Sequence, residues 1–182
     1  YYQVMSKEAS KVPAGSNGVL FLPYLTGGSG ENANACGCFL NMTLDTDQFV
    51  LWRAVLEAIG YDYMEITDIY RSAGVDLSRI AITEGGSRDD LWNQMKADML
   101  DSKVITLENA GGAVVTNCLF GAYAVNHIQD IKGKLEGYLK IKKNYQPDEE
   151  QTKIYRELYQ VQKELVKQDL GAAFAKLEKI RN

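Results

Sequence analysis

Gly85, Gly86, Ser87 and Asp90 are the residues whose types and spacing could do chemistry. They lie in Ile80-Ala81-Ile82-Thr83-Glu84-Gly85-Gly86-Ser87-Arg88-Asp89-Asp90-Leu91-Trp92, which reads as strand, glycine turn, helix. Ile80 and Ile82 share one face of a short strand over 79–83. The paired glycines let the backbone turn sharply and let a ligand approach closely, because no Cβ stands in the way. Ser87 stands where the helix N-cap is expected, with Asp90 as an acidic variant of the capping box. Trp92, Met95 and Met99 follow at helical spacing, which predicts a helix over 88–100. This geometry suits a nucleotide, although glycines at such a turn also serve plain helix–strand packing. Asp89 and Asp90 complement the helix dipole but would repel a triphosphate. The turn is therefore expected to meet the uncharged end, adenine and ribose.

A second glycine turn, Asn109-Ala110-Gly111-Gly112-Ala113, follows a predicted strand over Lys103–Leu107 and leads into a small-residue helix to about Ile128. No acid stands in the first turn of that helix, though Glu108 precedes the glycines. Two successive strand–turn–helix units predict an α/β sheet with helices packed on its faces. No Walker-type Gly-x-x-x-x-Gly-Lys-Ser/Thr loop is present.

The elements around these turns are read from periodicity and caps. Residues 1–17 predict an opening helix and a loop, 18–24 a strand, 26–34 a glycine-bearing loop, and 37–42 a second strand. Leu44-Asp45-Thr46-Asp47 signals a helix start, with Val50, Ala54, Val55, Ala58 and Ile59 at helical spacing toward Gly74. Arg53 and Glu57 on that helix read as an i,i+4 pair worth roughly 0.2–0.5 kcal/mol. Lys140 to Lys143 read as a solvated connection, and Pro147 opens a last helix over about 148–168. On that helix Tyr155, Leu158, Val161 and Leu165 form the expected packing stripe.

The chain has 182 residues, 46% hydrophobic and 24% charged, enough for one domain with its own core. Its net charge of −4 and the lack of a basic stripe argue against nucleic-acid binding. No apolar run reaches the length of a membrane span, and no secretory signal is visible. Cys36, Cys38 and Cys118 make an odd count with no disulfide framework, which points to buried reduced thiols and a cytoplasmic setting. Cys36-Gly37-Cys38 lacks the further ligands a zinc site needs, and the lone His127 reads as a capping or surface residue. No metal ligand and no catalytic residue are assigned. The start Tyr1-Tyr2-Gln3, without methionine, is expected to mark a fragment.

Several blocks, in order, carry a resemblance. Thr83-Glu84-Gly85-Gly86-Ser87-Arg88-Asp89-Asp90-Leu91-Trp92 is similar to Thr-Gly-Gly-Gly-Ala-Arg-Ser-x-x-Trp, and Gln94-Met95-Lys96-Ala97-Asp98-Met99-Leu100 to Gln-x-x-Ala-Asp-x-Leu. Phe21-Leu22-Pro23-Tyr24-Leu25, Arg53-Ala54-Val55-Leu56-Glu57 and the tail Pro147-Asp148 with Tyr155-Arg156-Glu157-Leu158-Tyr159 agree as well. From about Gly18 to Leu170 the chain resembles the FGGY carbohydrate kinases of the actin-like ATPase superfamily, and its tail resembles their xylulokinase branch. The resemblance implies an RNase H-like α/β domain, with residues 1–182 as the C-terminal nucleotide-binding lobe. It implies an ATP- and Mg²⁺-dependent enzyme that transfers the γ-phosphate to a sugar hydroxyl, xylulose being the best guess. The implied nucleotide-binding set is Gly85, Gly86, Ser87, Asp90, Gly111 and Gly112, with the last two on a connection packed near the nucleotide. The sugar would be held mainly by an N-terminal lobe outside this chain, and a homodimer stays open.

Two departures bear on substrate. Thr26-Gly27-Gly28-Ser29-Gly30-Glu31-Asn32 stands where the family has Ser-Gly-Glu-Arg, and Ala113-Val114-Val115 where it has Gly-Ala-Ala. The lost Glu-Arg pair keeps an alternative in view, a non-catalytic actin-like nucleotide-binding module with a regulatory or assembly role.

Overall fold

The structure, a computed structural model, describes residues 1–28, 34–83, 85–108 and 112–181. Helix α1 (Tyr2–Ala9) lays Met5 and Ala9 against the core. A 3-10 turn at Ser16–Gly18 leads into β1 (Leu20–Leu22), which pairs antiparallel with β2 (Cys38–Leu40). Phe21 faces Phe39 across this pair, with ring centroids 4.5 Å apart. Both strands are shorter than their sequence signals, and residues 29–33 of the expected glycine loop lie outside the described residues.

Helix α2 (Gln48–Ser72) starts where the Asp47 signal placed it. The Asp47 carboxylate accepts the N–H groups of Phe49 and Val50, each at 2.9 Å. Val50, Ala54, Ala58, Tyr61 and Met64 form its buried face. Arg53 and Glu57 form the expected i,i+4 pair but are buried, because that stretch of α2 lies under α1, the loop after it and a later helix.

β3 (Arg79–Ile82), α3 (Asp90–Leu100) and β4 (Lys103–Leu107) make a strand–helix–strand unit. β3 and β4 are parallel, with Ile80 opposite Val104 and Ile82 opposite Thr106. Val104 to Leu107 are all buried, so both faces of β4 are covered. Helix α4 (Gly112–Ala124) stops short of the expected Ile128. Asn126 takes φ 57°, and the His127 N–H closes on the Ala122 carbonyl at 2.8 Å. His127 is exposed, as expected of a surface residue.

After α5 (Ile131–Tyr138), residues 141–145 correct the reading of a solvated connection. They form β5 (Ile141–Tyr145), antiparallel to β4, in a sheet of order β3-β4-β5. Only Tyr145 of this edge strand is buried, opposite Val104. The backbone ladder holds β5 in place, and its exposed lysines leave no apolar alternation to read.

Helix α6 (Glu149–Glu164) starts at Asp148, continues through a π-helical turn at Leu165–Asp169, and is followed by α7 (Gly171–Arg181). The helical run thus ends at Asp169, close to the expected 168, with its last turn π-helical. Its buried stripe is Tyr155, Tyr159, Gln162 and Val166, while Val161 faces solvent. Tyr155 and Tyr159 meet Tyr61, Met64, Met99 and Leu100 in the core shared by α2, α3 and α6. Full burial of a Leu- or Met-sized side chain contributes roughly 1.5–3 kcal/mol. α2 and α3 approach closely at Gly60, where a Cβ would overlap Met99 Sδ. This core sets the direction of α3, and so of the glycine turn at its head. Cys36 and Cys38 are half-buried and Cys118 is exposed, so the expectation of buried thiols fails at Cys118.

Candidate nucleotide site

Because β3 and β4 run parallel, their carboxyl ends open on the same side of the sheet, the place where ligands gather in open α/β sheets. The Gly85–Ser87 turn and the start of α4 at Gly112 stand there. Gly85, Gly86 and Ser87 form a 3-10 turn between β3 and α3. Gly112 begins α4 beside Thr83, and a Cβ on it would lie 3.5 Å from Thr83 Cγ2. Gly111 lies outside the described residues.

Among the described residues the positive-φ glycines are Gly15, Gly18, Gly27 and Gly74, so Gly85 and Gly86 do not need glycine for backbone conformation. What they offer is space. A Cβ on Gly85 would meet nothing within 4 Å, and one on Gly86 would meet only Lys96 Nζ at 3.7 Å.

The N-cap of α3 is Asp89, not Ser87. The Asp89 carboxylate accepts the Trp92 N–H at 3.0 Å and the Ser6 hydroxyl of α1. Ser87 is consumed by the preceding 3-10 turn, which closes through Arg88 N–H to Gly85 carbonyl at 3.3 Å, and the helix starts later. Asp90 accepts the Tyr145 hydroxyl on one oxygen and faces Lys143 Nζ at 2.9 Å on the other. The Tyr145 hydrogen bond, then Lys143, hold its carboxyl below the ordinary range. Both carboxylates at the head of α3 are thus engaged by protein groups, and Lys143 offsets part of the repulsion toward phosphate read from the sequence.

Behind the turn lies a polar network that the sequence reading missed. The buried Asn93 donates to the Ser87 carbonyl at 2.8 Å and to Tyr145 Oη at 3.3 Å. Lys96, 3% exposed, donates to the Gly86 carbonyl at 2.9 Å and to Asn93 Oδ1 at 3.4 Å. Burial pushes the Lys96 ammonium down to about 8, with Asp89 pulling the other way. The only available signal was spacing. Lys96 stands one helical turn after Trp92, on the buried stripe of α3, where a lysine is out of place.

In front of the turn a cavity of about 880 Å³ is lined by Gly85, Gly86 and Asp90, by Trp52 and Leu56 of α2, and by Tyr2 of α1. Lys7, Arg88, Asp89 and Gln94 line it too, so aromatic and aliphatic faces alternate with polar and charged groups, a mixture that suits a flat heteroaromatic ring and an attached sugar. Ser87 and Gly112, both expected at the nucleotide, are not among the residues that line this cavity. Among the described residues no three of His, Cys, Asp or Glu gather to hold a metal ion. Nor is any described helix long and apolar enough to cross a membrane.

The family model for the C-terminal domain of the FGGY family of carbohydrate kinases matches residues 1–125. A xylulose kinase of Staphylococcus epidermidis is 27% identical over 162 residues, covering 88% of this chain and 33% of that protein. A gluconokinase of Bacillus licheniformis is 32% identical over 162 residues, covering 86% and 31%. The ligand-bound xylulose kinase from Lactobacillus acidophilus matches with a TM-score of 0.78 at 24% identity, over 96% of this chain and 36% of that one. Plasmodium falciparum glycerol kinase with ADP matches with a TM-score of 0.74 at 17% identity, over 90% and 33%. The two structures carry the fold, that of an actin-like ATPase domain. The chain spans about a third of the length of the relatives it matches.

Proposed function

The chain belongs to the FGGY family of carbohydrate kinases, and we propose that it forms the nucleotide-binding C-terminal lobe of an ATP-dependent sugar kinase. One observation carries this reading: the Gly85–Gly86 turn follows β3 at its carboxyl end, leaves open space around both glycines and lines a cavity walled also by Trp52, Leu56 and Trp92. Gly85, Gly86 and Ser87 meet adenosine through their backbone, with Asp90 at the cavity edge and Gly111 and Gly112 on the neighbouring connection. Held by its adenosine end, ATP extends its phosphates out of this lobe toward a sugar bound by the rest of the protein. Mg²⁺, when bound, supplies charge neutralisation on the phosphates. No base that could orient a sugar hydroxyl is assigned to this chain, so that role falls to the remainder of the protein. Closure of the two lobes excludes water, which competes with the sugar hydroxyl for the phosphoryl group.

For the acceptor, xylulose is the first reading. The tail from Pro147 and the similarity to xylulose kinases support it. Gluconate is the second, favoured by the 32% identity to a gluconokinase. The test is a panel of D-xylulose, D-ribulose, gluconate and glycerol with ATP and Mg²⁺, on the complete protein. Turnover of a ketopentose supports xylulose as read. Turnover of gluconate or glycerol alone keeps the kinase and replaces the sugar. Tight ATP binding with no turnover on any of them would make the non-catalytic module the better account.

A further inference from the structure

We infer that a second cavity, between α2 and α6, is a binding site for a small organic ammonium: Gln162, Asp62 and Glu65 present oxygen acceptors there within a frame of tyrosine rings.

The cavity measures about 290 Å³ and is lined by Tyr24, Tyr61, Asp62, Glu65, Tyr159 and Gln162, among others. It shares no lining residue with the cavity at the Gly85–Gly86 turn. Its size, at the lower end for ligand pockets, suits a small molecule rather than a nucleotide. Tyr61 and Tyr159 stack with ring centroids 6.3 Å apart. The π-helical turn at Leu165–Asp169 contributes Val166 and Lys167 to the same lining. Such turns recur at functional sites.

Gln162 marks the place. It is 3% exposed, yet its Oε1 accepts no hydrogen bond. A buried amide oxygen without a donor is destabilising, and a leucine would fill similar volume without that cost. What this oxygen lacks is a donor. Asp62 and Glu65 stand one turn apart on α2, exposed at the rim, and among the described residues neither takes a hydrogen bond or an ion pair. Like charges at this spacing repel. Burial, and then Glu65, pushes the Asp62 carboxyl up. The Tyr24 hydroxyl is pushed up by burial and then by Asp62 and Glu65, and no lysine offsets either shift. Lys163 lines the cavity too, but its ammonium lies over the Tyr159 ring, 5.0 Å from the centroid. The unmet demand is therefore for positive charge that carries N–H donors. An alkylammonium brings both, and its charge is attracted to ring faces. An anion has the wrong sign, and a neutral hydroxyl would leave the two carboxylates uncompensated.

The test is calorimetry with n-butylammonium chloride on the complete protein at constant ionic strength. Tetramethylammonium serves as a cation without N–H donors. n-Butylammonium should bind saturably, and tetramethylammonium at least about tenfold more weakly, for want of charge-assisted hydrogen bonds. Asp62→Asn and Gln162→Leu should each weaken n-butylammonium about tenfold, the scale of one such bond. Gln162→Leu should melt no lower than wild type, because it removes the unmet oxygen. Mg·ADP affinity should hold in both variants, since the two cavities are lined by different residues. Absence of saturable n-butylammonium binding by the wild type overturns the inference. So does equal affinity for the two cations, or for wild type and Asp62→Asn. Should Gln162→Leu melt lower, Asp62→Asn on the exposed rim decides: weakened binding supports the site, and unchanged binding overturns it.

Discussion

Arg53 and Glu57 sit one turn apart on α2 and share a buried ion pair, Nε to Oε1 at 3.1 Å, with side chains 7% and 3% exposed. Glu57 also accepts the Gly15 N–H at 2.9 Å and the Ser16 hydroxyl at 2.8 Å, while Arg53 donates to Tyr155 Oη at 2.8 Å. One pair thus ties the loop after α1, helix α2 and helix α6 together. These are the elements that flank α3, with the Gly85–Ser87 turn before it. Spacing suggested an i,i+4 pair worth roughly 0.2–0.5 kcal/mol. Burial makes it a junction whose partners cannot be separated cheaply.

Arg53→Met should therefore destabilise the fold by about 3–5 kcal/mol, because it leaves Glu57 buried without its cation. Adding Glu57→Leu should recover part of that loss. Urea unfolding measures both, and a loss below about 1 kcal/mol for the single variant would count against the junction. Burial pushes the Glu57 carboxyl up, against the pull of Ser16, Arg53 and Gly15. Its folded form then binds protons more readily than the unfolded chain, so its contribution to stability is complete below the ordinary value of 4.5 and declines as pH rises through the raised one. That decline should steepen in Arg53→Met.

Tyr145 links β5 to the head of α3, and Tyr145→Phe should cost about 1 kcal/mol for the hydrogen bonds lost to Asp90 and Asn93. Asp90 is held low by Tyr145 first and Lys143 second, so its contribution is present above the ordinary value of 3.8 and is lost as pH falls through the lowered one. Without the Tyr145 hydroxyl the acid-side loss should be shallower. Unfolding curves at neutral and acid pH compare the two, and an identical acid-side loss would show that the hydroxyl is not its cause.

What could be read in the sequence was what local chemistry determines. Asp47 capped α2 as its position suggested, and the alternation of Val104 to Leu107 marked β4 to the residue. The Gly85–Gly86 turn was visible because strand, glycine pair and helix follow one another within a few residues. What long-range contacts determine was not legible. β5 carries lysines on an edge and is defined by its ladder to β4. The cap of α3 moved to Asp89 because Ser6, far away in sequence, reaches it and the 3-10 turn takes Ser87. Lys96 and Asn93 became part of the site only once Gly86, Ser87 and Tyr145 were brought around them.

The chain by itself should phosphorylate no sugar. No base for the acceptor hydroxyl and no loop for the β- and γ-phosphates is assigned to it, and it spans about a third of the relatives it matches. A coupled assay of ADP release with D-xylulose, gluconate and ATP should match the blank without enzyme. Sugar-dependent turnover above that blank would place catalytic groups within these residues and overturn the division of roles between lobes.

Gly86→Val separates a ligand-facing turn from a merely structural one. Gly86 does not adopt positive φ, so a branched residue meets no backbone strain there. Its Cβ would meet Lys96 Nζ at 3.7 Å, an ordinary contact. Stability should therefore change by less than about 1 kcal/mol, the range of substitutions that create no cavity or overlap. Nucleotide binding should behave differently, because the added methyl groups stand where adenosine must approach the backbone. ATP affinity in the complete protein should drop at least about tenfold, about 1.4 kcal/mol, while sugar affinity holds. Calorimetry with ATP, beside a melting curve, gives both quantities on one sample. An unchanged melting temperature together with unchanged ATP affinity would show that the space in front of Gly86 is not used by the nucleotide. A fall in both would show that the turn matters to folding more than its open surroundings indicate.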